Sequence, residues 1–130
     1  MEGGIVLADT SVLIDFFRKS DKSNSYLVSL LRKGFVFNIS AITEYEIYSG
    51  ATGEQKVYWQ EFLKIITVLP FDQDAAKVAV EINEVLKRKR KQIDIADLFI
   101  ASTAISNNLP LATLNIKHFE RIDTLVLVAK

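Results

Sequence analysis

The fold is decided by residues 4–17, which read GIVLADTSVLIDFF. Residues 4–8 contain the apolar run IVLA, which predicts a buried strand. The helix that follows is indicated by apolar side chains at Val12, Leu13, Phe16 and Phe17. Thr10 or Ser11 is the expected N-cap of this helix. Asp9 stands between the two elements, so the stretch predicts a strand–helix unit with an acid at the carboxyl end of its strand.

Strands and helices alternate along the rest of the chain. Further strands are predicted at residues 35–39, 67–69, 111–113 and 125–128. Helices are predicted from residue 26 to a stop at Lys33-Gly34, from a Ser40 cap towards Gly50, at 54–66, from Asp72 onwards and at 95–106. This alternation predicts an α/β fold with a parallel sheet covered by helices on both faces. Sites in such sheets form at the carboxyl ends of the strands.

Two helices have predicted buried faces. The helix after Asp72 is expected to bury Ala75, Val78, Ala79, Ile82, Val85 and Leu86. The helix after Ser40 is expected to turn Ala41, Ile42, Tyr45 and Tyr48 inward. Residues 95–106 are apolar on most sides, which predicts a central, buried helix.

The composition limits the chemistry. The 130 residues are expected to form a single domain, residues 1–130, with 16 basic and 16 acidic side chains and therefore no global positive field. The chain has no cysteine and one histidine, His118. Thiolate and histidine-rich metal sites are thus excluded, which leaves oxygen-bound Mg²⁺ or Mn²⁺. The first apolar run resembles neither a signal peptide nor a membrane span, so a cytoplasmic protein without membrane contact is expected.

Acids at the predicted strand ends and helix starts are the candidate metal ligands, and each has a structural alternative. Asp9 also suits a helix N-terminal carboxylate. Glu44 and Glu46 lie in one helix, and the residues alone barely separate them. Asp94 and Asp97 resemble a capping box, although Asp97 opens a buried helix and needs compensation for desolvation.

A fourth polar side chain, Asn115, follows the apolar run 111–114. Converging carboxylates stay ionised only when a cation offsets their repulsion. A divalent metal there can polarise a phosphoryl oxygen and activate water, which favours phosphodiester hydrolysis. His118 has no obvious serine or acid partner and is interpreted as a surface residue.

One dense basic block runs through Lys87, Arg88, Lys89, Arg90 and Lys91. It suits a solvated helix end that complements the C-terminal dipole. The alternative is a contact with the phosphate backbone of a nucleic acid, because the block ends shortly before Asp94. Arg18, Lys19 and Lys22 are candidates for the same role.

Four segments together resemble the PIN-domain ribonucleases, and most of all the VapC-type toxins of toxin–antitoxin modules. They are residues 6–15 (VLADTSVLID), 43–50 (TEYEIYSG), 97–104 (DLFIASTA) and 109–119 (LPLATLNIKHF). The resemblance covers essentially the whole chain. It implies a three-layer α/β/α sandwich with a central parallel sheet.

The resemblance also implies a set of site residues. The family's second acid lies four residues before a glycine, which selects Glu46, and its third acid directly precedes the LFIA-type helix, which selects Asp97. The catalytic acids implied are Asp9, Glu46 and Asp97. The family's fourth position, often Asp, is Asn115 here, which brings no charge, so one metal is expected rather than two. Ser11 and Thr113 match supporting polar positions, and Asp94 is a further supporting candidate.

The activity implied by the resemblance is Mg²⁺- or Mn²⁺-dependent endonucleolytic cleavage of RNA. The implied partners are an RNA substrate, a cognate antitoxin protein and a second copy of the chain in a homodimer. The alternative is a PIN-like scaffold with weak or lost hydrolysis, which Asn115 favours. A receiver-like signalling domain would need two adjacent early acids and a late strand-end lysine, and neither is present.

Overall fold

The computed structural model describes residues 3–129, which form a parallel sheet of four strands. The strands are β1 (Gly4–Ala8), β2 (Phe35–Ser40), β3 (Val68–Leu69) and β4 (Leu111–Ala112). Their order across the sheet is β3-β2-β1-β4, and every pairing is parallel. Ala8 pairs with Ala112, so the carboxyl ends of β1 and β4 lie side by side at the same end of the sheet. The predicted parallel α/β fold is confirmed.

Helices connect the strands and cover both faces of the sheet. They are α1 (Thr10–Arg18), α2 (Tyr26–Arg32), α3 (Ala41–Ser49), α4 (Gly53–Leu63), α5 (Gln73–Arg88), α6 (Ile95–Ser106) and α7 (Ile116–Phe119), with a 3₁₀ turn at Lys22–Asn24. Among residues 3–129, no helix is both long enough and apolar enough to cross a membrane.

The core is divided by the sheet into two clusters. Leu7 of β1 packs with α5, α6 and Phe119 on one face. Its neighbours Val6 and Ala8 pack with α1, α2 and Trp59 of α4 on the other. Successive strand residues point to opposite faces, so one short apolar run supplies both clusters. The buried, central α6 is confirmed, because its residues 100–104 are all buried.

Four local predictions are wrong. The N-cap of α1 is Asp9 rather than Thr10 or Ser11. Residues 125–128 do not form a strand, because only Leu127 makes a bridge, to Leu111. Leu111 N donates to Val126 O (2.8 Å) and Val128 N donates to Leu111 O (2.9 Å), so this segment pairs with β4 at one position.

The third error concerns Tyr45 of α3, which is 71% exposed. Thr43 and Ile47 are buried in this helix, and the predicted residues Ile42 and Tyr48 pack against the core clusters. Periodicity placed Tyr45 wrongly because α3 has apolar side chains on several sides. The fourth error is Val85 of α5, which is 36% exposed, although Ala75, Ala79, Ile82 and Leu86 are buried as predicted.

Lys22 closes the C-terminal end of α1. Its Nζ donates to the carbonyl oxygens of Phe16 (2.7 Å), Phe17 (2.7 Å) and Lys19 (2.9 Å), and it lies 5.1 Å from the centre of the Phe16 ring. We expect Lys22→Met to lower the free energy of unfolding by about 1–2 kcal/mol, because these carbonyls lose a charged donor. Urea denaturation measures this.

The matched control is Lys64→Met. Among the described residues 3–129, Lys64 pairs only with Glu61 (2.8 Å), and both side chains are about two-thirds exposed. Exposed pairs of this kind contribute little, so the control is expected to unfold like the wild type. Equal losses in the two variants would contradict the role given to Lys22.

Candidate active site

Asp9 is a buried carboxylate held by two hydroxyl groups. It is 3% exposed at the carboxyl end of β1. Its Oδ2 accepts hydrogen bonds from Ser11 Oγ (2.8 Å) and Thr113 Oγ1 (2.8 Å). These hydroxyls accept in turn from the backbone amides of Leu114 (3.1 Å) and Asn115 (2.9 Å). The amides therefore orient both hydroxyl hydrogens towards Asp9.

Sheet topology explains this meeting of residues distant in sequence. The backbone amide of Asp9 donates to Ala112 O (2.9 Å), which continues the pairing of β1 with β4. Thr113 then stands beside Asp9 at the same edge. Although Asp9 occupies the N-cap position of α1, its side chain makes no capping hydrogen bond. The interpretation of Asp9 as a capping carboxylate is thus not supported by its contacts.

Asp97 is the second acid of the candidate site and lies at the N-terminal end of α6. Its side chain is 19% exposed. Burial raises the pKa of Asp97 above its ordinary value, and the negative charge of Asp9 raises it further. The charge of Asp9 thus acts unfavourably on ionised Asp97. Their repulsion is what a bound cation offsets.

His118 contacts Asp97, which the sequence interpretation missed. The His118 Nδ1 lies 3.1 Å from Asp97 Oδ2, while the imidazole remains 57% exposed. Its charge and hydrogen bond both act to lower the pKa of Asp97, opposing the larger effects of burial and Asp9. The two residues are far apart in sequence, and only the docking of α7 against α6 brings them together. No local pattern signals this pair.

We expect His118→Ala to raise the pKa of Asp97 in the metal-free protein, because both contributions of the imidazole disappear. Asp94→Asn provides a control of opposite sign, since the charge of Asp94 raises the pKa of Asp97. Carboxyl ¹³C chemical shifts followed through a pH titration measure both changes. A lower Asp97 pKa in His118→Ala would contradict this assignment.

Glu46 is joined to this edge of the sheet through Thr10. The Thr10 hydroxyl donates to Glu46 Oε1 (2.7 Å) and lies 3.0 Å from Thr43 Oγ1. Ser40 Oγ, the cap of α3, accepts from the Thr43 amide (3.0 Å). Glu46 thus sits beside the residue that follows Asp9. Glu44 instead lines a surface cavity with Tyr45.

The remaining predicted residues lie around this centre. Asp94 is the N-cap of α6, where its side chain accepts from the Ala96 amide (3.3 Å). This is the capping role that the sequence offered as the alternative to metal binding. Asn115 is exposed, and its backbone rather than its amide contacts Thr113. The run 87–91 is exposed at the end of α5, and Lys89 pairs with Asp123 (3.3 Å).

The arrangement offers oxygen ligands for a metal but no complete cluster. Within residues 3–129, no three His, Asp or Glu side chains form a group that could hold a metal ion. Mg²⁺ typically keeps several waters and uses one or two carboxylates. The Asp9–Asp97 pair fits that requirement, because the two acids repel each other and their surroundings supply oxygen atoms. Glu46 stays a predicted ligand.

Comparison with known proteins identifies the family to which the chain is related. Ribonuclease VapC1 of Methanocaldococcus jannaschii is 37% identical over 118 residues, which cover 90% of this chain and 80% of that protein. Ribonuclease VapC10 of Mycobacterium tuberculosis is 32% identical over 122 residues, which cover 93% and 90% of the two chains.

Solved structures agree with the sequence relatives. The crystal structure of VapBC2 from Rickettsia felis, bound to a DNA fragment from their promoter, is similar with a TM-score of 0.83 and 29% identity over 95% of this chain and 97% of that one. DNA-bound VapBC from Salmonella typhimurium gives a TM-score of 0.82 and 26% identity, with 98% of each chain covered. The family model of the PIN domain matches residues 6–125. The strand ends that bring Asp9 and Thr113 together are thus part of a fold shared along nearly the whole chain, and the chain belongs to the PIN domain family.

Proposed function

We propose that this protein is an endoribonuclease that hydrolyses RNA phosphodiester bonds as the toxin of a VapBC-type toxin–antitoxin pair, with Mg²⁺ or Mn²⁺ as cofactor. The observation that carries the proposal is the pair of neighbouring carboxylates, Asp9 and Asp97, in a chain related along most of its length to proteins named VapC ribonucleases. Carboxylate oxygens are the ligands that these hard cations prefer.

The contacts of the two acids leave one oxygen of each available. Asp9 uses Oδ2 for Ser11 and Thr113, and Asp97 uses Oδ2 for His118. In residues 3–129, no hydrogen bond or ion pair engages either Oδ1 atom. Both Oδ1 atoms are therefore the candidate ligand atoms. A divalent cation bound by them supplies positive charge that offsets the charge developing on a phosphoryl group.

Residues of the chain itself supply positioning. Ser11 and Thr113 prevent the Asp9 carboxylate from rotating, because their hydrogens are directed by backbone amides. His118 adds one contact that restrains Asp97, from Nδ1 to Oδ2. Fixed ligands of this kind lose little freedom when the cation and substrate bind.

Purified protein incubated with structured RNAs tests the activity. We expect cleavage with Mg²⁺ or Mn²⁺ and none in excess EDTA. The cation is also expected to stabilise the fold, by about 2.7 kcal/mol at a concentration 100 times its dissociation constant. Full cleavage in EDTA would rule out the metal-dependent mechanism.

A second candidate is a PIN-like scaffold with weak or no hydrolysis. It is favoured by the absence of a three-acid group within residues 3–129 and by the neutral Asn115. Calorimetric titration with Mn²⁺ separates the two. An enzyme of the proposed type binds the cation at the Asp9–Asp97 pair, whereas a scaffold need not bind it.

The proposed partner besides RNA is a cognate antitoxin protein in the cytoplasm. The support is that the similar solved structures are VapBC toxin–antitoxin assemblies. Homodimer formation stays a prediction from the family resemblance, and light scattering after size-exclusion chromatography measures it.

A further inference from the structure

Two surface clefts lie beside the acids: one extends to Ser11, which binds Asp9, and the other contains Asp97. The first, the α1–α2 cleft, contains Asp15, Arg18, Lys19 and Lys33, with Ser11 and Asn115 at its end nearest the site. Its two cavities share Asp15, Lys19 and Leu114, so they form one continuous depression. The second, the α6–α7 cleft, contains Asp94, Asp97, Lys117, His118 and Arg121.

The α1–α2 cleft carries an excess of positive charge. Three cations face one acid, Asp15, which forms a loose ion pair with Lys19 (3.7 Å). Arg18 and Lys33 are exposed, and no side-chain hydrogen bond or ion pair engages them within the described part of the chain. Unpaired cations beside Ser11, which binds Asp9 directly, are placed to hold an anion next to the site.

The α6–α7 cleft continues this arrangement beyond the acids. Lys117 and Arg121 are exposed, and among residues 3–129 neither side chain has an ion-pair partner. Asp97 lies in the same cleft and contacts His118. An anionic strand that passes the acid pair therefore meets cations on both sides of it.

Other basic residues are placed differently. Lys22 is occupied by the carbonyl oxygens at the end of α1. The side chains of the run 87–91 line neither cleft, and Lys89 is paired with Asp123. The position of that run suits the end of α5, where cations complement the helix dipole.

We propose that an RNA strand crosses the site from the α1–α2 cleft to the α6–α7 cleft, with Arg18 and Lys33 binding phosphates on one side and Lys117 and Arg121 on the other. This inference rests on the proposed function. Contacts of this kind position the backbone without reading sequence. They also explain how a protein with no net charge binds a polyanion, since its cations are concentrated beside the acids.

The test is the salt dependence of RNA binding. A short fluorescein-labelled single-stranded RNA of mixed sequence is titrated with full-length protein in EDTA, which separates binding from metal-dependent cleavage. Each phosphate contact contributes a slope of about −0.7 to log K against log salt concentration for single strands. Arg18→Ala with Lys33→Ala is expected to make this slope about 1.4 less steep and to weaken binding roughly tenfold at low salt. Lys117→Ala with Arg121→Ala is expected to behave in the same way.

The matched control is Lys87→Ala with Arg88→Ala, which removes the same two kinds of charge from the exposed end of α5. We expect it to keep the wild-type slope. Circular dichroism checks that every variant is folded. A wild-type slope in both cleft variants, an equal change in the control, or no binding by the wild type would overturn the proposal.

Failure of this inference is distinguishable from failure of the proposed function. If the wild type cleaves RNA while the cleft variants bind normally, the path is wrong and the activity stands. If the wild type binds with the expected slope but never cleaves with Mg²⁺ or Mn²⁺, the path stands and the activity is wrong.

Discussion

Asp97→Asn is expected to lower the rate of RNA cleavage by at least about 100-fold, because it removes one of the two paired carboxylates. The same substitution is expected to raise the melting temperature of the metal-free protein by a few degrees at neutral pH. Burial and the charge of Asp9 raise the pKa of Asp97 in the folded state. Ionised Asp97 therefore destabilises the fold, whereas an asparagine side chain in its place is neutral and can still accept from His118.

The sign of this effect gives a pH dependence. A carboxyl group whose pKa is higher in the folded state stabilises the fold at pH values below its unfolded pKa, and this stability is lost as pH rises through the folded pKa. The difference in melting temperature between Asp97→Asn and the wild type should thus be largest at neutral pH. It should shrink as the pH is lowered towards the ordinary pKa of aspartate. Thermal melts across this range measure it.

Asp94→Asn is the matched control for Asp97→Asn. Asp94 caps α6 through the Ala96 amide, and Asn is an equally good N-cap. Both cleavage and stability are therefore expected to stay close to the wild type. Normal cleavage by Asp97→Asn, or an equal loss in Asp94→Asn, would remove Asp97 from the catalytic centre.

Thr113→Val is expected to lower the cleavage rate by about 10–100-fold and the free energy of unfolding by about 1–3 kcal/mol. The buried Thr113 hydroxyl donates to Asp9 Oδ2 and accepts from the Asn115 amide. Valine has the same shape but leaves both partners without this hydrogen bond. Initial rates and urea denaturation measure the two losses.

Thr103→Val is the control for a buried threonine. The Thr103 hydroxyl donates only to Phe99 O within α6 (2.8 Å). Since such back-bonding adds little to a helix, cleavage is expected to be unchanged and the fold nearly as stable as the wild type. If Thr113→Val lost stability but cleaved normally, its hydroxyl would have a structural role alone.

Much of the fold was predictable from local patterns. The strands predicted at residues 4–8 and 35–39 and the buried helix at 95–106 are short, strongly patterned segments, and the structure contains all three, with the second strand extended to Ser40. The parallel sheet follows from their alternation with helices. Residues 125–128 were predicted as a strand because they are apolar and alternate with β-branched valines. Whether such a segment pairs along a neighbouring strand depends on tertiary packing, and here only Leu127 forms a bridge.

The candidate site was predictable in part. A carboxylate after a buried strand identified Asp9, and the edge shared by β1 and β4 explains why Thr113 meets it. The residues alone did not separate Glu44 from Glu46. The structure distinguishes them by one contact, the hydrogen bond from Thr10 to Glu46, which joins α1 to α3.

The sequence by itself determined the parallel sheet, the acid at the end of its first strand and the oxygen-only character of any metal site. These properties depend on short-range periodicity and on which residue types are present. Only the tertiary structure decided that Ser11 and Thr113 share Asp9 Oδ2, that His118 contacts Asp97 and that Lys117 and Arg121 line the cleft containing Asp97. Such contacts join residues far apart in the chain, and side-chain distances across a folded sheet edge are set by strand order and helix packing, which no local pattern encodes.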